Sequence, residues 1–263
     1  MSRFARFRAL LAALLLLETT APSRAADGGG ITTNPDSSPY ILVGFVGGFV
    51  RHDNPYHGPV IVARHLRQKS PKDTHVQVFE NRHRRKAYKT IVQLLDRNND
   101  GNLSTAEKGQ ARIILFGQSW GASAAVALAN DLNRIGVPVL LTVQVDSVAK
   151  PWQHDDVIPE NVAVAVNFYQ PHGIVHGRPA IRAADDAKTQ ILGNYQFDYK
   201  QTPVQCEGLS WFDRTIMPDH MQSECDPNLW GQVESLVREH MELGSIDTVA
   251  NPEQHAEIPH LER

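Results

Sequence analysis

The stretch RIILFGQSWGASAAVALANDLNRIG, residues 112–136, decides the fold. It opens with Ile113 to Phe116, an unbroken apolar run, the pattern of a strand buried on both faces. It closes with Gly121 to Ile135, an Ala-rich helical pattern stopped by Gly136 and Pro138. Between the two lies Gly117-Gln118-Ser119-Trp120-Gly121, a G-x-S-x-G at a strand-to-helix turn. A serine there projects its hydroxyl above the sheet edge, and flanking glycines leave room for the neighbouring backbones. The helix N-terminus supplies N–H groups and a positive dipole end beside any developing negative charge. Alone the pattern is common; between a buried strand and an Ala-rich helix it points to a nucleophile.

The same alternation runs outward in both directions. Tyr40 to Val50 reads as a strand entering a Gly-rich turn, Gly58 to Lys69 as a helix, His75 to Glu80 as a strand and Lys86 to Leu95 as a helix. Beyond the serine, Val139 to Val145 and Val162 to Phe168 are Val-rich strands, Ile191 to Phe197 is a weaker one and Glu234 to Leu243 a closing helix. Alternating strands and helices predict the α/β class, a mostly parallel central sheet with helices on both faces. One domain, residues 40–245, is expected, with a polar tail over 246–263.

A serine hydroxyl needs a base, and the base an orienting acid. In this architecture the chain order is Ser, then Asp or Glu, then His. Asp146 ends the Val139–Val145 run and is the expected acid; Asp185, Asp186 and Asp213 are alternatives. The next strand ends in Phe168-Tyr169-Gln170, without a carboxylate. His220, after the last strand and before the closing helix, is the expected base, with His172 and His176 as rivals. Acyl transfer also needs oxyanion donors. The backbone N–H of Trp120 is one, and Phe45 or Val46 in Gly44-Phe45-Val46-Gly47-Gly48 is the expected other.

On the Gly44–Gly48 loop, Gly117–Gly121, Asp146 and His220, the chain resembles the α/β-hydrolase superfamily over residues 40 to 243. The resemblance implies that fold and a serine esterase, lipase or related acyl hydrolase acting on a small-molecule ester or acyl substrate. The first loop lacks the His-Gly pair that many members carry, and the acid comes one strand earlier than in many. Amide or peptide hydrolysis is a rival on the same residues, and a non-catalytic calcium-dependent binding protein is a rival from another class.

A second motif lies just before the nucleophile strand. Asp96-Arg97-Asn98-Asn99-Asp100-Gly101-Asn102-Leu103-Ser104-Thr105-Ala106-Glu107 fits D-x-[DN]-x-[DN]-G-x5-E and resembles an EF-hand loop. Asp96, Asn98, Asp100, the Asn102 carbonyl, Ser104 and Glu107 form the expected oxygen shell for a structural Ca2+, with Gly101 at the sharp turn.

Arg3, Arg6 and Arg8, the apolar run Ala9 to Leu17 and Ser23-Arg24-Ala25 have the layout of a secretory signal peptide over residues 1–25. A flexible Gly-, Pro- and Ser-rich leader, 26–39, follows. The reading is export, to a periplasmic or secreted location, with no stable membrane insertion. In an oxidising compartment Cys206 and Cys225 can pair, bracketing His220. A formal net charge of −3 over 263 residues argues against a general nucleic-acid binder, and two cysteines are too few for a disulfide scaffold or a Cys-rich zinc site. The basic run Arg82-His83-Arg84-Arg85-Lys86 reads as a solvated helix start, and Trp120, Trp152, Trp211 and Trp230 as pocket or core residues.

Overall fold

Successive side chains along β1 (Tyr40–Val46) fall on opposite faces of the sheet and enter two separate cores. Ile41, Val43 and Phe45 join one; Tyr40, Leu42 and Val46 join the other. All seven residues of the strand are buried. A strand wanted on both faces has to be apolar throughout, which is why the alternation typical of half-exposed strands is missing here. The computed structural model describes residues 38–151, 153–208, 215 and 217–246. The signal-peptide assignment, the tail from 247, Trp152, Trp211 and Asp213 lie outside the described residues.

The chain continues through α1 (Gly58–Lys69), β2 (His75–Glu80), α2 (Arg84–Leu95), a short α3 (Thr105–Gly109), β3 (Arg112–Gln118), α4 (Trp120–Asn133) and β4 (Val139–Val145). Then come β5 (Val157–Ile158), β6 (Val162–Tyr169), β7 (Arg182–Ala183), β8 (Gln190–Gln196), α5 (Pro218–Cys225) and α6 (Pro227–Ile246). Six strands form one sheet in the order β2-β1-β3-β4-β6-β8, every neighbouring pair parallel. β5 and β7 form a separate parallel pair. α2 and α4 cover one face through Ile91, Leu95, Leu128 and Leu132, and α1 and α6 cover the other through Val62, Leu66, Trp230 and Val233. The α/β class expected from the sequence, with helices on both faces, is the one observed.

From β1 the chain first moves outward to β2, then returns to place β3 on the other side of β1. The strand order therefore reverses between β1 and β3, and such switch points open a crevice beyond the carboxyl ends of the strands. α4 approaches this crevice closely because its inner face is small: Ala122, Ala125 and Ala129 are fully buried. A Cβ on Gly117 would sit 2.6 Å from the Gly121 backbone, and one on Gly121 would meet the backbone of Phe45 and Val46. Only glycine at both ends of the motif lets β3, α4 and β1 converge. Among the described residues no helix is long and apolar enough to cross a membrane.

Candidate active site

Ser119 sits between β3 and α4 with φ 56° and ψ −127°. A non-glycine residue there stores about 1–3 kcal/mol of backbone strain. The turn is held by the Ser119 N–H donating to the Val145 carbonyl at 2.9 Å. Serine before a helix ordinarily accepts an N–H of the first turn. Here the hydroxyl makes no such cap and lies 2.9 Å from His220 Nε2.

His220 is carried by α5, and its Nδ1 lies 2.6 Å from Asp146 Oδ2. An ionised carboxylate only accepts, so Nδ1–H donates to Asp146 and Nε2 is left to accept the Ser119 O–H. The Gln118 amide nitrogen is 3.4 Å from the same Nε2. All three residues are buried, at 6% exposure for Ser119, 0% for Asp146 and 5% for His220. α5 has several anchors of its own. Ser223 Oγ donates to the His220 carbonyl, Trp230 Nε1 donates to the Ser223 carbonyl, and Glu224 meets buried His57 at 2.5 Å. A disulfide joins Cys206 to Cys225 across 19 residues, with Cα atoms 5.7 Å apart.

Asp146, also at positive φ (43°), is fixed from the next strand. Its Oδ1 accepts from the Gln170 N–H at 3.1 Å and the Gly177 N–H at 2.5 Å, and its Oδ2 from Gln170 Nε2 at 3.0 Å. The Gln170 side chain is itself held, donating to the Val175 carbonyl and accepting from the His172 N–H. Nearby, burial together with Asp226 and Asp146 pushes the Tyr199 phenol above its usual range, so it remains the donor to Asp226 at 3.1 Å.

The rivals are engaged elsewhere. His172 Nε2 meets Asp198 at 3.2 Å, and His176 Nδ1 meets the Gly177 carbonyl. Asp185 accepts from the Ala187 N–H, and Asp186 is exposed. Trp120 opens α4, so its N–H has no acceptor within the helix. Phe45 and Val46, the expected second donors, are fully buried inside the β1 ladder. The residue that abuts Ser119 is Gly47: a Cβ there would lie 2.8 Å from Ser119 Cβ. The sequence reading named Phe45 and Val46, and nothing in the Tyr40–Val50 run marks where pairing stops and the turn at Gly47 begins. It also passed over Gln170 because that strand end offers no carboxylate to serve as the acid, although the amide there is what anchors Asp146.

In loop 96–107 the side chains serve the loop's own backbone. Asp96 accepts from the Asp100 and Gly101 N–H groups, and Asn98 Nδ2 donates to Asp100 Oδ2. Glu107 forms a capping box with Ser104 at the start of α3 and accepts from the Arg97 N–H. Those hydrogen bonds, the Ser104 hydroxyl foremost, hold the Glu107 carboxyl below its usual range. Asn99 and Gly101 supply the positive-φ bends, at 56° and 83°. Among the described residues no three His, Cys, Asp or Glu side chains gather as a metal-holding group. The oxygen donors suit a hard cation in kind; their present aim is toward backbone N–H groups.

No protein-family model matches the chain, and no curated protein matches it either. Among solved structures, the chain is similar to the esterase LipW from Mycobacterium marinum at 12% identity, covering 78% of this chain and 74% of that one, TM-score 0.37. It is similar to P91, a dienelactone hydrolase-like promiscuous phosphotriesterase from metagenomic libraries, at 14% identity over 77% and 87%, TM-score 0.35. It is also similar to YbtT, a type II thioesterase of the yersiniabactin pathway, at 10% identity over 64% and 90%, TM-score 0.30.

Proposed function

We propose that the protein is an exported serine hydrolase that cleaves a carboxylic ester or thioester through an acyl-enzyme. The observation that carries this reading is the buried relay of Ser119 Oγ, His220 and Asp146 at 2.9 and 2.6 Å, with the serine on a strained strand-to-helix turn. In the first half-reaction Ser119 Oγ attacks the carbonyl carbon and its proton passes to His220 Nε2. Asp146 stabilises the imidazolium that forms and does not itself take the proton. The oxyanion lies against the Trp120 N–H and the turn after β1, where Gly47 leaves space for it. Collapse breaks the bond to the leaving alcohol or thiol, which takes the proton from His220. Water then attacks the acyl-serine, gives His220 a proton and releases the acid, and His220 returns the proton to Ser119.

The Cys206–Cys225 bridge supports export, since disulfides persist in oxidising compartments. The loop 96–107 is read as a structural Ca2+ site held by Asp96, Asn98, Asp100, the Asn102 carbonyl, Ser104 and Glu107. The ion would supply charge compensation in the connection that leads into β3, and it takes no part in the chemistry above. Calorimetric titration with calcium tests it; no binding up to the millimolar range removes the ion from the proposal.

The hydrolase reading is tested with a fluorophosphonate probe and a panel of p-nitrophenyl esters of increasing chain length. Labelling and turnover are expected in the wild type and lost in Ser119→Ala and His220→Ala. An unlabelled wild type overturns it.

A further inference from the structure

Beside Trp120, the residue after Ser119, stands a cation that no acid among the described residues neutralises. Lys150, in the loop after β4, places its Nζ 5.0 Å from the centroid of the Trp120 ring and 2.7 Å from Asn81 Oδ1. Among the described residues it makes no ion pair. Glu80, the chain neighbour of Asn81, is paired with Arg82 and His83 and lies 3.6 Å from His52. An aromatic face and a neutral amide hold an ammonium but leave its full charge uncompensated. Burial lowers the Lys150 pKa from its usual value, as expected for a cation partly withdrawn from water without a counter-ion.

The ammonium is also built into the site rather than trailing in solvent. Asn81 Nδ2 donates to the carbonyls of Gly48 at 2.6 Å and Val46 at 3.4 Å, which fixes the amide so that Oδ1 faces Lys150. The backbone on the other side is anchored to α4: Gln153 Oε1 accepts from the Lys150 N–H at 3.3 Å and from Ser123 Oγ at 2.9 Å. Phe49 packs edge-on against Trp120, with ring centroids 5.7 Å apart. Around Trp120 the structure thus gathers the exposed Phe49 ring and the held Lys150 ammonium.

Resting on the hydrolase reading above, we infer that Lys150 is a specificity-determining residue, and that the substrate is a small ester carrying an anionic group, a carboxylate or its equivalent, a few bonds from the scissile carbonyl. The anion completes the ion pair that the fold leaves open, and Trp120 stacks along the apolar spacer between anion and ester. A charge-assisted hydrogen bond of this kind is worth about 10- to 100-fold in relative kcat/KM.

The test compares chain-matched esters at low salt, with the released acid titrated: ethyl hexanoate against monoethyl adipate for a charge on the acyl side, hexyl acetate against 6-acetoxyhexanoate for a charge on the alcohol side. The wild type is expected to favour the charged member of one pair, and Lys150→Gln to lower that charged-to-neutral ratio at least tenfold. Lys150→Arg is expected to restore most of it, and added salt to erode it. A ratio unchanged in Lys150→Gln, or a wild type that prefers the neutral member of both pairs, overturns the inference. Adipate binding to Ser119→Ala, followed by tryptophan fluorescence, separates the two readings. Binding that weakens tenfold with Lys150→Gln keeps the anion seat even if no ester is cleaved. No adipate binding, or binding indifferent to Lys150, removes the seat even if neutral esters are hydrolysed.

Discussion

Removing the Cys206–Cys225 bridge should cost stability without dismantling the relay. The bridge spans 19 residues, and a closed loop of that length restricts the unfolded chain by about 3 kcal/mol. In a domain of this size each kcal/mol moves the melting temperature by about 2–4 °C, so Cys206→Ser with Cys225→Ser is expected to melt roughly 6–12 °C lower. His220 lies inside the loop, but α5 keeps its other anchors: Trp230 on the Ser223 carbonyl, His57 on Glu224 and the Val204 N–H on Gln222 Oε1 at 2.6 Å. Ester turnover at 25 °C should therefore stay within about threefold of wild type, a shift of under 1 kcal/mol in the barrier. The assay is paired: urea unfolding for stability, p-nitrophenyl ester turnover well below the melting point for geometry. Turnover lost a hundredfold with stability unchanged would refute the reasoning, because the bridge would then be positioning His220 rather than restricting the unfolded chain.

Gly47→Ala puts a methyl group 2.8 Å from Ser119 Cβ and 3.0 Å from the Gln118 carbonyl; it should lower kcat at least tenfold while costing about 1–3 kcal/mol of stability, read by ester kinetics and urea unfolding. Gln170→Met takes one donor from Asp146 and leaves the Val175 carbonyl and the His172 N–H without their partner, so a loss of about 2–5 kcal/mol by chemical denaturation is expected, with kcat falling more than KM rises. For Glu80, burial raises the carboxyl pKa but Arg82 and the neighbouring histidines outweigh it, leaving the group below its usual 4.5. Its stabilisation is present above about pH 4.5 and is lost as pH falls through the lowered value. Because Arg82, His83 and His52 are about half exposed and screened by water, Glu80→Gln should cost only about 1 kcal/mol at pH 7, and the difference from wild type in unfolding curves should shrink as pH falls below the usual 4.5.

The strands were readable because burial on both faces demands uninterrupted apolar residues, and Val139–Val145 has the same bounds in sequence and structure. The turn at Ser119 was readable because its glycines answer a steric demand that no other residue meets. Asp146 and His220 followed from chain order, and the structure brings both to Ser119. What escaped was whatever depends on tertiary partners. α5 was not legible: Pro218–Cys225 has no apolar stripe, and it forms a helix against His57, Trp230 and the disulfide. The closing helix begins at Pro227 rather than Glu234 because Asp226, whose carboxylate accepts from the Asn228 and Leu229 N–H groups, starts it seven residues sooner, ahead of the poor helix formers Asn228 and Gly231. Gln170 and Lys150 carry no pattern of their own, since their roles exist only once separate strands deliver their ends to one crevice.

Ser119 and Asp146 share a backbone liability: each holds a left-handed conformation that glycine would adopt without strain. Selection for folding alone would replace both, and Ser119→Gly is a change that relaxes the chain while removing the hydroxyl proposed to attack. A lineage released from the need for turnover is expected to drift to glycine at these two positions first. Their side chains in a distant homologue then serve as a marker of whether the proposed chemistry is in use there.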